Sequence, residues 1–412
     1  MPMGAASLPA LQALLSEVST RNPFYGRKLA AVGCTAIPSS LEDFIHRFPH
    51  TTKAELVADQ LAHPPFGSNL TFALPTYTRC HQTSGTTGEP LRWLDTPDSW
   101  KVMVRDWAEV LRRAGVVAGD RVLFAFSFGP FLGFWLAFDA AQQLGCLCFA
   151  GGGMSSAQRA RVLVENGCSV LCCTPTYALH LADVLQREKL DHSRCRVRTL
   201  VVAGEPGGSL PATRQRLAEA WNGARIFDHH GMTEVGPVTY EHPQQPHHLV
   251  LLGHSFFAEV IHPVTSKSVL PGEPGELVLT TLLRTASPVI RYRTGDLVRC
   301  ITNQLHGDAG TVFQGGILGR VDDMRIIRGV NIYPSAIEEH IRAVAGSAEY
   351  RVTCSRTHAL HELSIEVEAA PTDARRLEER LQTNLALRVP VTPVSEGSLP
   401  RFELKARRWR DV

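Results

Sequence analysis

The chain predicts an α/β fold, and three observations carry that prediction. Between residues 121 and 221, short apolar runs alternate with stretches of helical spacing, the pattern of a parallel sheet covered by helices on both faces. Beyond about residue 253 the texture turns to β, with Pro271-Gly272-Glu273-Pro274-Gly275 as a turn between strands. Residues 320–412 return to a shorter α+β pattern of their own.

The elements follow in order. Leu8, Leu11, Leu14, Leu15 and Val18 lie on one face of an opening helix. Residues 98–114 form a second helix, closed by Gly115. Strands are expected at 121–126, 145–149, 168–173 and 197–203, with helices at 156–166 and 177–187 between them. Ser209 is expected to cap a helix running to Trp221, with Pro211 in its first turn. Strands at 276–282, 288–293 and 311–314 make a β-rich part. The last part holds a strand at 324–327 and a helix opening at Pro334 that carries Ile337, Ile341 and Val344. A strand follows with Leu363, Ile365 and Val367 alternating, then a helix marked by Leu377, Leu381 and Leu385. The domain boundary falls near residues 319–323, dividing the chain into 1–319 and 320–412.

Composition removes several function classes. A chain of 412 residues with 44 % apolar and 20 % charged residues is an ordinary globular protein of two or three domains. Net charge is +2, and the one basic run, 401–410, is broken by Phe402, Glu403, Leu404 and Trp409, so no nucleic-acid-binding face is expected. The ten cysteines form no Cys-x-x-Cys pair and read as reduced thiols of a cytoplasmic protein. The first residues lack a basic stretch followed by an apolar core, so no secretory leader is expected. Residues 122–138 are uncharged, but they are short for a membrane span and contain Gly129, Pro130 and Gly133; they read as buried strand and loop.

The most telling stretch is Thr83-Ser84-Gly85-Thr86-Thr87-Gly88-Glu89-Pro90. Glycines let the main chain approach a ligand, and hydroxyls donate to anionic oxygens. It reads as a phosphate cradle or as a plain polar turn. It is not a Walker loop, because no Lys follows Gly88. Two loops at the carboxyl ends of expected strands are also unusual: Ala203-Gly204-Glu205-Pro206 and Asp228-His229-His230-Gly231-Met232-Thr233-Glu234. Taken singly, Glu234 reads as a loop acid and Asp296, after Thr294-Gly295, as a turn residue. Lys405 reads as a surface charge and the Arg320–Asp323 stretch as a linker.

Order changes that. The Gly/Thr loop, Gly204-Glu205-Pro206, Gly231-Met232-Thr233-Glu234, Tyr292-Arg293-Thr294-Gly295-Asp296, Gly319-Arg320-Val321-Asp322-Asp323 and finally Lys405 resemble the acyl-adenylate-forming superfamily over nearly the whole chain. Thr51-Thr52-Lys53, residues 171–177, 290–296 and 326–334 look like signatures of its phenylacetate-CoA ligase family. The resemblance implies a large ATP- and acid-binding domain, a small mobile α+β domain, and AMP-forming ligase chemistry. It implies that Thr83, Ser84, Gly85, Thr86, Thr87 and Gly88 hold the β- and γ-phosphates, that Glu234 holds Mg²⁺, and that Thr233 reaches the α-phosphate. Asp296 would accept from the ribose hydroxyls with Arg320 close by. Gly204, Glu205, Pro206, Asp228, His229, His230 and Gly231 would frame the adenine. Lys405 would place its charge between the acid and the α-phosphate, and Asp322 would be the hinge. An acyl pocket would lie beside Phe128, Phe131, Trp135, Ala203, Gly231 and Pro237, with aromatic walls suited to an aryl or arylacetic acid. Phe131 and Trp135 read equally well as core.

The chain departs from the family pattern at three positions. Glu89 stands where a lysine is usual, His230 where a tyrosine is usual, and Leu404 where a glycine is usual. Relatives carry a Cys-containing zinc site; here His242, His247, His248 and His254 are available, but residues 305–318 contain no cysteine, and zinc is not expected. The implied substrates are ATP, a small carboxylic acid and CoA. A rival reading passes the acyl group to an amine or a carrier protein in specialised metabolism. Another makes the chain a degenerate nucleotide-binding scaffold, motivated by Glu89 and Leu404 and opposed by Glu234, Asp296 and Lys405. No membrane partner is expected, and a homodimer is compatible with all of these readings.

Overall fold

The computed structural model describes residues 7–34, 36–83, 90–190, 194–205, 207–302, 310–323, 325–327, 330–346, 348–357, 360–385, 387–400 and 408–412. Five parallel strands form the central sheet, in the spatial order Leu147–Ala150, Arg121–Phe124, Val170–Cys173, Thr199–Val202 and Arg225–Asp228. Val170–Cys173 and Thr199–Val202 are buried along their whole length, as strands covered on both faces must be. Crossover helices Leu132–Gln143, Ser156–Glu165, Pro175–Arg187 and Pro211–Ala220 supply the covering layers. Local chemistry starts several of them. Ser155 and Gln158 form a capping box, and Thr174 caps the helix that Pro175 opens. The opening helix, Ser7–Arg21, buries Leu11, Leu14, Leu15 and Val18 as its spacing predicts.

A second, mostly antiparallel sheet of seven strands follows. Its path runs Thr239–Glu241, His248–Leu251, Thr311–Gln314, Tyr292–Thr302, Pro274–Thr281 and Phe256–Ile261, with Gly319–Arg320 paired beside Tyr292–Thr302. Both sheets share one large core. A separate core begins at Ile327. There, helices Pro334–Ala345 and Pro371–Leu385 cover a four-stranded sheet ordered Val391–Pro393, Leu360–Val367, Tyr350–Thr357 and Trp409–Asp411. Helix Pro334–Ala345 also packs against helix Pro211–Ala220 of the larger part.

Three expectations from the sequence need correction. Residues 132–138 are helical, not strand and loop; Leu132, Leu136 and Ala140 keep a buried face, but aromatics around the rest of the helix mask the period. Ser209 does not cap the helix at Pro211. Leu210 holds the N-cap position without a side-chain bond, and the Ser209 hydroxyl turns to Asp228. The strand expected at 288–293 begins only at Tyr292, because Arg291 takes a left-handed φ of 47°. That bend aims its guanidinium at the Glu259 carboxylate and at the carbonyls of Ile45 and Phe48, fastening the N-terminal helices to the second sheet. All ten cysteines are free thiols. Among the described residues no helix is long and apolar enough to cross a membrane.

Candidate active site

The carboxyl ends of the parallel strands gather the loops singled out in the sequence, as open α/β sheets do. Ala203 and Gly204 follow Val202; Gly204 has φ +91°, which a side chain disfavours. Glu205 folds inward and accepts from the Thr176 amide at 2.8 Å and its hydroxyl at 2.5 Å. Burial raises its carboxyl above the ordinary range. Asp228 ends the neighbouring strand. It accepts from the Ser209 hydroxyl at 2.5 Å and the His229 amide at 3.0 Å. Burial, reinforced by nearby Glu241, pushes its carboxyl up to about 7. Glu241 accepts from the Asp228 amide and pairs with Arg214 at 2.7 Å, so this corner is a closed polar network. His229 donates from Nδ1 to the Thr239 carbonyl at 2.6 Å and lies against Trp107. Burial holds its imidazole down at about 3, and it stays neutral.

His230 opens onto a chain of charges. Its Nε2 lies 2.9 Å from Asp296 Oδ2, and Arg320 donates to Asp296 Oδ1 at 2.9 Å. Asp322 accepts from the same guanidinium at 3.2 Å. Burial pulls Arg320 down, but Asp296 and Asp322 outweigh it and hold it above its ordinary value. The β-ladder builds this arrangement, since Asp296 and Arg320 are paired across neighbouring strands. Gly295, at φ +77°, makes room; a Cβ there would stand 2.7 Å from the guanidinium. Asp296 is 4 % exposed and His230 Nδ1 is buried without a partner.

Thr233 and Glu234 sit at the tip of a tight turn between strands Gly231–Met232 and Gly236–Pro237. A Cβ on Gly231 would meet the Gly236 carbonyl at 2.7 Å, so the turn needs glycine there. Arg284 holds the Thr233 carbonyl at 2.9 Å while forming a bidentate pair with buried Asp95. Glu234 Oε1 accepts from the Tyr292 hydroxyl at 3.3 Å and faces Lys53 Nζ at 3.7 Å. Burial, followed by the Glu234 charge, raises the Tyr292 phenol well above its ordinary value, so it remains a donor.

Thr83 and Pro90 flank the Gly/Thr loop at the end of a hairpin of strands Arg79–Gln82 and Arg92–Asp95. The Thr83 hydroxyl accepts from the Leu91 amide, and the Thr83 amide donates to the Leu91 carbonyl, which closes the hairpin neck. Ser84, Gly85, Thr86, Thr87, Gly88, Glu89, Pro206, Leu404 and Lys405 lie outside the described residues.

A cavity of about 530 Å³ opens beside the carboxyl ends of strands Arg121–Phe124 and Leu147–Ala150. Phe128, Trp135 and Phe138 supply its aromatic wall, and Gly152 and Gly153 its floor. The Trp135 indole donates to the Gly129 carbonyl at 3.1 Å, fixing the ring edge-on to Phe128. Phe131, Ala203 and Pro237 are not among its lining residues; Pro237 is taken up in the bridge to Gly231. Helix Leu132–Gln143, which carries Trp135, packs against the strands flanking Thr233 and Glu234.

The sequence reading left Lys53, Arg284, Thr176 and the Ser209–Glu241–Arg214 network out of the site. Lys53 and Thr176 had a signal, since they stand inside the 51–53 and 171–177 signatures. The others are ordinary residues whose roles arise from contacts distant in sequence. The histidines weighed as metal ligands have separate partners: His254 bonds Asp106, His247 the Ser209 carbonyl, and His242 accepts from the amides of Gln244 and Gln245. Among the described residues no group of three or more His, Cys, Asp or Glu is placed to hold a metal ion.

Residues 81–282 match the AMP-binding enzyme family and residues 329–412 the AMP-binding enzyme C-terminal domain. The chain is 33 % identical to the phenylacetate-coenzyme A ligase of Escherichia coli (strain K12), over 100 % of this chain and 97 % of that protein. A 2-hydroxyisobutyryl-CoA ligase in its postadenylation state, bound to an acyl-AMP, superposes with TM-score 0.92 at 31 % identity, covering 98 % of this chain and 88 % of that one. The same ligase in its thioesterification state, with CoA, superposes with TM-score 0.74 at 32 % identity, covering 98 % and 89 %. The chain therefore belongs to the phenylacetate-CoA ligase family of AMP-binding enzymes, ATP-dependent ligases that convert a carboxylic acid to its acyl-adenylate and pass the acyl group to CoA.

Proposed function

We propose that this ligase acts on an aryl or arylacetic acid. The observation that carries this reading is the aromatic wall of Phe128, Trp135 and Phe138 around a cavity of about 530 Å³. Flat, apolar walls favour a planar hydrophobic acyl group, and the acid's charge would face the Thr233–Glu234 turn one helix away.

The chemistry has two balanced steps. A carboxylate oxygen of the acid attacks the α-phosphorus of ATP; the bond to the bridging oxygen breaks, and pyrophosphate leaves. The sulfur of CoA, losing its proton to solvent, then attacks the acyl carbon, and AMP leaves with the electron pair of the acyl–oxygen bond. The first step calls for charge compensation and alignment more than for acid–base work. Asp296, held between His230 and Arg320, would accept from the ribose hydroxyls. Gly204, Glu205, Pro206, Asp228 and His229 would border the adenine, and His230 would lie against its face. Thr233 would donate to the α-phosphate, the loop from Thr83 to Gly88 to the outer phosphates, and Lys405 would bridge acid and phosphate. Glu234 suits Mg²⁺. It is a hard oxygen donor, and this metal takes one or two carboxylates and fills its remaining positions with water and phosphate. Bound there, the ion would neutralise phosphate charge. Lys53 and the Tyr292 hydroxyl fix the direction of the Glu234 carboxylate.

The division into residues 1–319 and 320–412, with Asp322 as hinge, belongs to the same reading. The better superposition on the postadenylation state than on the thioesterification state supports a small domain docked here in the adenylate-side arrangement.

Pyrophosphate exchange with phenylacetate, benzoate and short aliphatic acids tests the proposal. Exchange with aryl acids at least tenfold above aliphatic ones is expected; a preference for aliphatic acids overturns it. Product analysis with CoA, amines and a carrier protein separates the acceptors. Lys405→Ala should lower exchange by orders of magnitude in a protein that still melts cooperatively.

A further inference from the structure

Residues 394–408 join the two edge strands of the four-stranded sheet, Val391–Pro393 and Trp409–Asp411. The connection leaves one edge and returns at the other, roughly 14 Å away across three strand spacings. It does so at one end of the sheet, because Val391–Pro393 finishes beside Val367 and Trp409–Asp411 starts beside Val352. Two glutamates stand at that end. Glu368 follows Val367, Glu349 precedes Tyr350, and the Glu368 amide donates to the Glu349 carbonyl at 2.9 Å. Each carboxylate holds one flank of the connection. Glu368 accepts from the Leu399 amide at 2.8 Å, and the Leu399 side chain is buried. Glu349 accepts twice from the Arg408 guanidinium, at 2.5 Å and 3.2 Å, with both side chains 10 % exposed. The Arg408 carbonyl accepts from the Val352 amide at 2.8 Å, and its guanidinium lies 5.2 Å from the centre of the Tyr350 ring. A two-point charged bond on backbone already tied to a strand leaves Arg408 little freedom. Lys405 comes three residues before it in the chain. This flank also faces the nucleotide side of the larger core. Burial raises the Glu205 carboxyl, and from the smaller core Glu338 adds to that shift while Arg408 opposes it.

We propose that Glu349 and Glu368 are positioning residues for Lys405, gripping the two flanks of its stretch through Arg408 and the Leu399 amide. They set where the lysine ammonium stands while the bond between acid and α-phosphorus forms. This role rests on the adenylation reading of Lys405. A carboxylate and a phosphate repel each other, so the cation between them must be held closely; a displacement of about 1 Å can cost a hundredfold in rate. Freeing either flank therefore slows bond formation while ATP and acid still bind through the larger core. The second step starts from a finished adenylate, where that repulsion is gone, and has no need of the lysine at this place.

The test uses the full chain, with the acid giving most exchange in the panel above and its synthetic adenylate as probes. Glu349→Gln and Glu368→Ala should each lower the kcat for pyrophosphate exchange about tenfold or more, with the KM values for ATP and acid within about threefold of wild type. Thioester formation from the synthetic adenylate and CoA should stay within about threefold. Arg351→Gln is the control. It opens the ion pair with Glu366 on the same two central strands, away from both flanks, and should leave both steps within about twofold. Urea melts establish that each variant folds, and Glu368→Ala, at a half-buried position, carries the test if Glu349→Gln does not melt cooperatively. Equal losses in the two half-reactions overturn the proposal. So does a loss in Arg351→Gln that matches the glutamate variants, since any loosening of the small domain would then act alike. Lys405→Ala separates this proposal from the reading beneath it. If Lys405→Ala loses exchange while both glutamate variants keep it, the lysine serves adenylation and its flanks are not what place it. If Lys405→Ala keeps full exchange, the adenylation reading of Lys405 fails and takes the positioning role with it.

Discussion

Asp296 gives one carboxylate oxygen to His230 and the other to Arg320, so the protein alone fixes its direction. Removing its charge leaves geometry and loses a charge-assisted bond worth ~1.5–3 kcal/mol. Asp296→Asn should therefore raise the KM for ATP by about ten- to a hundredfold, read from exchange rates against ATP concentration; an unchanged KM would remove Asp296 from the nucleotide site. Asp228 makes a different prediction. Its carboxyl titrates near 3.8 when exposed and at about 7 in the fold. Between those values the folded chain keeps a proton that the unfolded chain has released. The stability from this group is present below its unfolded value and is lost as pH rises toward 7. Asp228→Asn abolishes that titration, so its stability relative to wild type should improve steadily from about pH 4 to about pH 7. Urea melts across that range check it, and a constant difference refutes it. At this scale the sequence marked Asp228 and Asp296 through their motifs. It did not indicate that Ser209, Glu241 and His230 would be their partners, because those bonds join positions brought near only by strand order.

The Thr233–Glu234 turn owes its position to an element far away in the chain. Arg284 lies beyond strand Pro274–Thr281, and Asp95 ends strand Arg92–Asp95; they meet with side chains 2 % and 0 % exposed. The same guanidinium holds the Thr233 carbonyl, so one ion pair joins the Arg79–Asp95 hairpin, the segment after strand Pro274–Thr281 and the Thr233–Glu234 turn. Asp95→Ala leaves a buried cation without its partner and should cost ~3–5 kcal/mol, seen as a lower urea midpoint with an unchanged slope. A loss under about 1 kcal/mol would mean that water replaces the carboxylate. Strands and helices with clean periodicity were legible from sequence within a few residues, as Val170–Cys173 and Pro371–Leu385 illustrate. Helix Leu132–Gln143 was not, because its cavity-facing aromatics give it apolar residues on every side. The displaced start of Tyr292–Thr302 was also hidden, since nothing local to Arg291 requires a left-handed backbone; its distant partners do.

For the molecule as a whole, the two separate cores are what the proposed hinge at Asp322 would rotate against each other to divide the half-reactions. Asp322 is exposed, and among the described residues its carboxylate pairs with Arg320, so a rotation there would break little. Asp322→Pro would restrict that backbone. It should leave pyrophosphate exchange within about threefold and slow thioester formation about tenfold or more. Equal effects on the two steps, or none on the second, would place the hinge elsewhere.

The sequence by itself determined the fold class, the order of the nucleotide-binding motifs, the family, and the residue types that chemistry on a phosphoanhydride needs. These are properties of local pattern and of motif order, which the chain carries without folding. Only the tertiary structure decided which groups hold those residues in place: Lys53 at Glu234, Arg284 at Thr233 and His230 at Asp296. Each joins elements separated by many residues, and its existence depends on strand order. No periodicity or spacing records such contacts, because the free energy that selects them is gained only when the whole chain has packed.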